Sequence, residues 1–171
     1  LDEVGEMPLD AQVKLLRVLE SGELQPIGAR MPRDVDVRVI AATNKNLLEE
    51  VEAGRFREDL YYRLAVVQVA IPPLRDRAGD IPALARHLLT RIARQPGLKG
   101  LGLTDDAMAL LCGYHWPGNV RQLQNALFRA AVLCDGDALT SVDFPHIARL
   151  SNGAPVTPSS NETGGAGVTL Y

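Results

Sequence analysis

The stretch VDVRVIAATN, residues 35–44, decides the fold class of this chain of 171 residues. Its first five residues alternate between valine and a charged residue, and the next three are all apolar. Alternation followed by a continuous apolar run is typical of a strand that enters a sheet covered on both faces. The sequence therefore predicts a buried strand over residues 35–42 that ends at the polar pair Thr43 and Asn44.

Helical patterns lie on both sides of this strand. Residues 9–20 (LDAQVKLLRVLE) repeat apolar residues at helical spacing between a proline and a glycine, which predicts an amphipathic helix. The side chains expected on its buried face are Leu9, Val13, Leu16 and Leu19. A short helix capped by Asn46, a further helical turn, and a strand at residues 66–71 (VVQVAI) should follow. Strands that alternate with helices indicate an α/β fold with a mostly parallel sheet.

An all-helical unit is predicted after the proline pair that ends the second strand. From there the chain shows only helical periodicity, with helices expected to begin near Asp80, Thr104 and Asn119. The C-terminal tail is instead rich in Gly, Ser, Pro and Thr, a composition typical of linkers. The predicted segments are an α/β part at 1–73, a helical bundle at 74–150 and a flexible tail at 151–171.

Composition argues against several classes of protein. Lys and Arg total 18 against 21 Asp and Glu, and the net charge of -3 disfavours a surface devoted to nucleic acid. No apolar run approaches the roughly 20 residues of a membrane helix. The chain starts at Leu1 without a leader, which favours a piece of a longer cytoplasmic protein. Cys112 and Cys134 each lie in an apolar helical pattern and are expected to be free buried thiols. Their spacing with His115 and His146 does not suit a zinc site.

Candidate chemical groups lie at the start of the chain and at the end of the predicted strand. Asp2 and Glu3 could supply one carboxylate to hold a magnesium ion and another to orient an attacking water. Thr43 and Asn44 lie where open α/β sheets bind ligands, and an asparagine amide can hold both a water and a phosphate oxygen. Solvated surface acids and a helix-capping turn are the alternatives for these two pairs.

Three arginines surround a short helix in GRFREDLYYRL, residues 54–64. Arg63 follows Asp59 by four residues and could form a helical salt bridge, whereas Arg57 has no carboxylate three or four residues away. Arg121 lies in the first turn of its helix, where the helix dipole disfavours a cation, and its helical neighbours are amides. A bound anion such as a phosphate would explain Arg57 and Arg121, with simple solvation as the alternative.

A helix-turn-helix at residues 104–134 is a competing hypothesis, in which the polar side chains of the second helix would face base edges. However, residues 103–150 contain five Asp against three Arg and no Lys. The connector at residues 114–119 is also longer than the usual turn of this motif. Both features disfavour DNA binding by this segment.

Five segments resemble the motifs of one family. In chain order they are LDEVGEMPLDAQVKLLRVLE (1–20), VDVRVIAATN (35–44), GRFREDLYYRL (54–64), IPPLRDRAGDI (71–81) and YHWPGNVRQLQN (114–125). Together they are similar to the AAA+ domain of bacterial enhancer-binding proteins, which activate sigma-54 RNA polymerase. The resemblance covers about residues 1–150. It implies an α/β fold: the C-terminal part of the parallel sheet of a P-loop NTPase, followed by an all-α lid.

The resemblance assigns roles to three residues near the nucleotide. Asp2 and Glu3 look like the Walker B pair, with Asp2 on Mg2+ and Glu3 polarising the hydrolytic water. Asn44 resembles the sensor I residue, which contacts the terminal phosphate. The resemblance therefore implies that the intact protein is an ATP hydrolase that uses ATP and Mg2+.

The roles of the arginines and the family's partners follow from the same resemblance. Arg57 and Arg63 match the arginine-finger segment, which reaches the nucleotide of a neighbouring subunit in a homo-oligomeric ring, expected to be a hexamer. Arg121 matches sensor II in the lid. The implied partners are sigma-54 RNA polymerase and enhancer DNA, each contacted through parts outside this sequence. The implied protein is a cytoplasmic regulator, of the two-component type, that makes no membrane contact.

Two missing motifs and one substitution limit this expectation. The chain contains neither a GxxxxGK[ST] phosphate-binding loop nor a GAFTGA loop, both of which normally precede Asp2 in the family. Gln122 stands where the family usually has Glu. Without backbone amides and a lysine around the phosphates, the chain by itself is expected neither to bind ATP tightly nor to hydrolyse it. A different AAA+ machine, or a non-catalytic DNA-binding module at 104–134, is the alternative.

Overall fold

Residues 1–151 and 168–170 are described by a computed structural model, in which the chain separates into two units with separate hydrophobic cores. The first unit consists of Leu1–Ile71 joined by the last strand of the chain, and the second begins at Pro72. None of the helices in these described ranges has the length and apolar character needed to cross a bilayer.

The first unit contains three helices and four short strands before the proline pair. The helices are α1 (Leu9–Ser21), α2 (Leu47–Glu52) and α3 (Glu58–Leu64), preceded by a 3-10 turn at Val4–Glu6. The strands are β1 (Glu23–Leu24), β2 (Arg33–Asp34), β3 (Ala42–Thr43) and β4 (Val69–Ile71).

The second unit is mostly helical, as its periodicity predicts. Its helices are α4 (Ile81–Ile92), α5 (Asp105–Gly113), α6 (Asn119–Leu133) and α7 (Pro145–Ser151), with 3-10 segments at Leu74–Asp80 and Ser141–Asp143. Two short parallel strands, β5 (Gly102–Leu103) and β6 (Ala138–Leu139), pair with each other. The last strand, β7 (Val168–Leu170), belongs to the first unit.

Helix α1 confirms the predicted amphipathic helix but not all of its buried face. Gly22 ends the helix with a φ of 71°, the left-handed conformation that glycine adopts without steric cost. Leu16 is buried as predicted, whereas Leu9 is 49% exposed. The fully buried residue in the first half of the helix is Gln12 instead. Its polar atoms are satisfied by main-chain partners, which is why a polar residue can occupy a core position.

The sheet of the first unit differs from the predicted one in the extent of its strands. Only Ala42 of the predicted strand at 35–42 is assigned to β3, which continues to Thr43. A strand needs neighbours for its main-chain groups, and Leu1 supplies the pairing on one side, at Ile40 and Ala42. Strands β3 and β4 run parallel to each other, because each pairs antiparallel with β7 between them.

Strand β7 corrects part of the prediction for the C-terminal tail. The tail was expected to be a linker over 151–171, but Val168–Leu170 pair with both β3 and β4. The tripeptide has the strand propensity to do so, and the facing edges of β3 and β4 have main-chain groups that need partners. Of the rest of that predicted linker, Ser151 is the last residue of α7, and residues 152–167 and 171 lie outside the described residues.

The core of the second unit confirms the predicted amphipathic helices. Its buried residues include Ile81, Leu88 and Ile92 of α4 together with Leu123 and Leu127 of α6. These two helices pack against each other through large aliphatic side chains, so burial of apolar surface holds the bundle together. The functions that the resemblance implies for segments 1–73, 74–150 and 151–171 stay predictions.

Candidate functional site

Asp2 and Glu3 follow Leu1, whose main chain pairs with residues 40 and 42 near the end of β3. The amino group of Leu1 donates to Ile40 O at 2.7 Å, and the N–H of Ala42 donates to Leu1 O at 2.8 Å. This is the bonding pattern of a parallel bridge. A Cβ placed at Gly5 would lie 2.8 Å from Thr43 Oγ1, so the following turn passes directly against the end of β3. The chain therefore leaves the sheet at Asp2 beside the point where β3 ends.

Asp2 and Glu3 are both exposed and carry no cation partner among the described residues. The Asp2 carboxylate accepts a hydrogen bond from the N–H of Glu3 at 3.1 Å. Glu3 has a φ of 52°, in the left-handed region that non-glycine residues adopt at a cost. Backbone strain of this kind clusters at functional sites, and here it falls on the residue expected to face water.

The carboxylates of Asp2 and Glu3 are compatible with a magnesium ion that binds together with a nucleotide. Magnesium in nucleotide sites takes one or two protein carboxylates and fills its remaining positions with waters and phosphate oxygens. Asp2 offers one exposed carboxylate with no competing cation among the described residues. Within residues 1–151 and 168–170 no group of three or more His, Cys, Asp or Glu is placed to hold a metal. Asp2 would thus act as a single protein ligand.

Of the polar pair at the end of β3, Thr43 has a structural hydrogen bond, whereas Asn44 has no side-chain partner among the residues that the structure describes. Thr43 is buried, and its Oγ1 accepts from the N–H of Lys45 at 3.1 Å. Asn44 is exposed and its amide bonds to none of the described residues. The capping role is performed two residues later, where Asn46 Oδ1 accepts from the N–H of Leu48 at 3.2 Å. Helix capping therefore does not account for Asn44.

A chain of four charges, which the sequence analysis missed, surrounds this edge. Lys45 Nζ lies 3.0 Å from Glu6 Oε2 and 3.7 Å from Glu50 Oε2. Arg55 donates two hydrogen bonds to Glu50, from Nε at 2.7 Å and from Nη2 at 2.9 Å. The bonds from Arg55 lower the pKa of Glu50 below its usual value. Arg55, the first arginine of GRFREDLYYRL, is thereby engaged within its own subunit. The sequence pattern did not predict this pair, because the two residues are five positions apart rather than three or four.

Arg57 has a carboxylate partner, contrary to the expectation from helical spacing. It occupies the N-cap position of α3, and its Nε and Nη2 donate to the two carboxylate oxygens of Asp59 at 3.0 and 2.6 Å. These bonds raise the pKa of Arg57 and lower that of Asp59. Spacings of three and four apply only inside a helix, whereas Arg57 precedes one and reaches forward by two residues. Both side chains remain partly exposed.

Arg63 does not form the salt bridge that its spacing from Asp59 allows. Its Nε and Nη2 donate to the carbonyl oxygen of Leu19, at 3.4 and 3.1 Å, near the C-terminal end of α1. A cation at that end interacts favourably with the helix dipole. Arg63 does not pair with Asp59 because Arg57 already occupies both oxygens of that carboxylate.

Gln12 connects α1 to the arginine segment and was not singled out by the sequence. Its Nε2 donates to Met7 O at 2.7 Å and to Arg55 O at 3.0 Å. Its Oε1 accepts from the N–H of Arg57 at 2.9 Å. A polar residue at an otherwise apolar helical position was the only available signal, because its partners lie 43 and 45 residues away.

Arg121 lies in the first turn of α6, in the second unit. Its side chain is exposed and forms no hydrogen bond or ion pair with the residues of the described part of the chain. The neighbouring Gln122 has a structural role: its Oε1 accepts from the N–H of Gly118 at 2.9 Å, ahead of the helix. Arg121 is therefore available to an external anion, while the amide oxygen of Gln122 is engaged by the main chain.

Two family profiles match the chain, one on each side of the proline pair. Residues 1–70 match the sigma-54 interaction domain, and residues 75–161 match the AAA+ ATPase lid domain. The second match includes the whole stretch at 104–134 for which a helix-turn-helix was considered.

Curated relatives are similar over most of this chain. The nitrogen fixation protein AnfA of Azotobacter vinelandii is 46% identical over 171 residues, which is 99% of this chain and 30% of that protein. The DNA-binding transcriptional regulator NtrC of Rhizobium meliloti (strain 1021) is 50% identical over 140 residues, or 82% of this chain and 29% of that regulator. The chain thus spans less than a third of the length of these two relatives.

Solved structures with the same fold include a regulator in complex with nucleotide. NtrX from Brucella abortus in complex with ATP has a TM-score of 0.76 and 39% sequence identity, covering 95% of this chain and 37% of that one. The same protein in complex with ADP gives a TM-score of 0.75 at 39% identity, covering 95% of this chain and 37% of that one. The fold described above is therefore shared with a protein that binds adenine nucleotides.

Proposed function

The chain belongs to the family of AAA+ domains that interact with sigma-54, and on that premise we propose that it is the water-orienting and phosphate-sensing part of an ATPase that activates transcription. The intact protein would hydrolyse ATP in a ring and use the energy to remodel sigma-54 RNA polymerase for promoter opening. Its DNA contact and its polymerase contact would come from parts beyond residues 1–171.

The observation that carries this proposal is the pairing of Leu1 with the end of β3. It brings two exposed carboxylates, which lack cation partners among the described residues, beside an exposed asparagine amide at the carboxyl edge of a parallel pair of strands. Ligands of open α/β sheets bind at that edge. Two acids and one amide are the side-chain types that water activation and phosphate sensing require.

Each of these three residues has a distinct role in the proposed reaction. Asp2 holds the magnesium ion, which when bound neutralises charge on the phosphates. Glu3 accepts a hydrogen bond from the attacking water and orients it toward the terminal phosphorus. Asn44 donates from its amide to a phosphate oxygen and can accept from the same water. The left-handed backbone at Glu3 sets the direction in which that carboxylate leaves the chain.

Three arginines are proposed to contact the phosphates of ATP, in addition to the two carboxylates and the asparagine. Arg57 and Arg63 reach the nucleotide of the neighbouring subunit and stabilise the charge of the transition state. Arg121, on the lid, contacts the phosphates of its own subunit. The guanidinium of Arg121, which has no partner in the described part of the chain, and the exposed position of Arg57 support these assignments. The roles of Arg57 and Arg63 require a ring in which each site is completed by two chains.

The isolated polypeptide Leu1–Tyr171 is expected to show no ATP turnover above background. It contains no GxxxxGK[ST] sequence, so it lacks the backbone amides and the lysine that hold the β- and γ-phosphates. Phosphate release and binding of a fluorescent ATP analogue measure the two properties separately. Turnover that disappears in Arg57→Ala would refute this expectation.

In a longer protein that includes a phosphate-binding loop upstream of Asp2, Asn44→Ala is expected to lower kcat for ATP hydrolysis about 100-fold. Loss of one donor to a developing phosphate charge typically costs about 10²–10³ in rate. Binding of ATP should change little, because the phosphates keep their other contacts. Steady-state turnover and ATP affinity are measured together, with Gln95→Ala, which truncates an exposed amide, as the control. An unchanged kcat for Asn44→Ala would remove the sensor assignment and weaken the proposed function.

A further inference from the structure

Gln12 is fully buried and uses both ends of its amide on main-chain groups. Its exposed fraction is 0%. The amide nitrogen donates to Met7 O and Arg55 O, and the amide oxygen accepts from the N–H of Arg57. Burial of an amide is unfavourable unless its hydrogen bonds are made, so these contacts explain how α1 keeps a polar residue at this position.

Two of the three contacts fall on the segment that connects α2 to α3. From the α2 side this segment is held by the carbonyl of Glu50, which accepts from the N–H groups of Arg55 and Phe56 at 2.9 and 3.0 Å. Phe56 is also buried in the core of the first unit. Those contacts end at residue 56, and the next N–H in the chain, that of Arg57, is the one that Gln12 accepts.

The Arg57 N–H bond therefore restrains the backbone of the residue that precedes α3 and carries the Arg57 side chain. Arg57 has extended dihedrals (φ -78°, ψ 134°) and its carbonyl accepts the first helical bond of α3, from the N–H of Tyr61 at 3.1 Å. Its backbone is thus fixed by α3 on the carbonyl side and by Gln12 on the amide side. A guanidinium that must meet a phosphate benefits from such restraint, because a misplacement of about 1 Å can cost roughly 100-fold in rate.

We propose that Gln12 is a positioning residue for the reaction: it fixes the backbone of Arg57 so that this side chain is presented to the neighbouring subunit. This inference rests on the proposed function, in which Arg57 acts on a nucleotide. Gln12 itself touches neither nucleotide nor water and acts only through the arginine segment. Its donors and its acceptor have different tasks, since the donors join α1 to residues 7 and 55 while the acceptor holds residue 57.

The first test measures amide hydrogen exchange in the 171-residue chain and needs no ATPase activity. In Gln12→Met, which keeps the length of the side chain but removes its hydrogen bonds, the Arg57 amide should exchange at least about tenfold faster. The Phe56 amide, held by Glu50, serves as the internal reference and should change by less than about threefold. Gln95→Met makes the same replacement at an exposed position and should alter neither amide. Equal acceleration of both amides would overturn the local role.

The second test uses the longer ATPase and compares two variants at a temperature at which both are folded. Gln12→Glu keeps an acceptor for the Arg57 N–H but buries a carboxylate, so it should melt at a lower temperature than Gln12→Met. Positioning of Arg57 nevertheless requires the opposite order in kcat, with Gln12→Met reduced about 10- to 100-fold and Gln12→Glu reduced less, while KM changes little in both. If kcat follows melting temperature instead, Gln12 is merely structural.

Mixed rings supply a readout that a general loss of folding would not give. A Gln12→Met subunit keeps Asp2, Glu3 and Asn44, whereas a Glu3→Gln subunit keeps its arginine segment. A mixture should therefore hydrolyse ATP severalfold faster than either subunit alone, because each supplies what its neighbour lacks. Absence of such complementation overturns the proposal.

The two levels of inference fail in different ways. If the unaltered longer protein has no ATPase activity, the proposed function fails, while the exchange rate of the Arg57 amide still reports on Gln12. If the unaltered protein is active and Arg57→Ala is not, but Gln12→Met and Gln12→Glu both turn over normally, the Gln12 inference alone fails. Should the Gln12 variants fail to assemble in the longer protein, the exchange test on the 171-residue chain decides: an Arg57 amide that exchanges no faster in Gln12→Met than in the unaltered chain would overturn the inference.

Discussion

Arg57→Ala is expected to lower kcat for ATP hydrolysis by the assembled ring about a thousandfold or more, with little change in the affinity of each subunit for ATP. An arginine that meets the transferred phosphoryl group in the transition state typically contributes about 10³–10⁵ in rate. The loss appears in kcat because the guanidinium stabilises charge that develops during the reaction rather than charge present in bound ATP.

The ion pair with Asp59 does not conflict with this role. Arg57 and Asp59 are both partly exposed, and water competes with such a pair, so the guanidinium can exchange its carboxylate for a phosphate at small cost. A phosphate offers the same bidentate arrangement of oxygens with more negative charge. In the proposed role, the Asp59 carboxylate would hold the partly exposed guanidinium until an anion replaces it.

Two variants make the measurement of Arg57 specific. Arg57→Lys keeps the charge but not the planar pair of donors, and should recover only a small part of kcat. Arg17→Ala removes an exposed arginine of α1 whose side chain bonds to none of the described residues, and should leave kcat unchanged. Unaltered turnover in Arg57→Ala, measured on rings shown to be assembled, would exclude the finger role.

Trp116→Ala is expected to lower the free energy of unfolding of the helical unit by about 3–5 kcal/mol, the usual range for removing a buried large aromatic residue. Trp116 is fully buried, and its Nε1–H donates to Leu111 O at 2.8 Å. Its ring meets Tyr114 edge to face, with centroids 5.0 Å apart. Alanine would remove the packing, the aromatic contact and the partner of a carbonyl at the end of α5.

Urea denaturation of the 171-residue chain, followed by circular dichroism, measures this effect. Trp116 is the only tryptophan, so its fluorescence separately reports unfolding of its unit in the unaltered protein. Phe128→Ala, which truncates an aromatic residue that is 40% exposed on α6, is the control and should cost less, about 1–2 kcal/mol. A shift for Trp116→Ala no larger than that of Phe128→Ala would show that the turn before α6 does not depend on this ring.

Local patterns were sufficient for the helices and the class of fold, but not for the strands. Periodicity found α1 and the bundle because each helix satisfies its own main-chain groups. The strand at 35–42 is shorter than predicted because a strand requires neighbours that the pattern cannot supply. The sequence pattern also failed to predict β7, because it follows a tail with the composition of a linker and its pairing with β3 and β4 depends on distant residues.

The candidate site was predictable in its residue types and less so in its contacts. Asp2, Glu3 and Asn44 could be named from their places next to strands, and their roles stay predictions. The ion pairs of Arg55 and Arg57 were missed because both join residues at loop spacings, five and two positions apart. Gln12 could be found only from the structure, since no sequence pattern shows which polar residue will meet a backbone N–H 45 positions away.

The way in which β7 joins β3 to β4 has a consequence for any longer form of the chain. The strand occupies its place through main-chain pairing, which many sequences can provide. Another extended segment of the same polypeptide could compete with β7 for the position between β3 and β4. The outcome would depend on the effective concentration of each segment, which is set by the length of the chain that connects it to the sheet. The sheet would exchange one neighbour for another without rearranging the strands on either side.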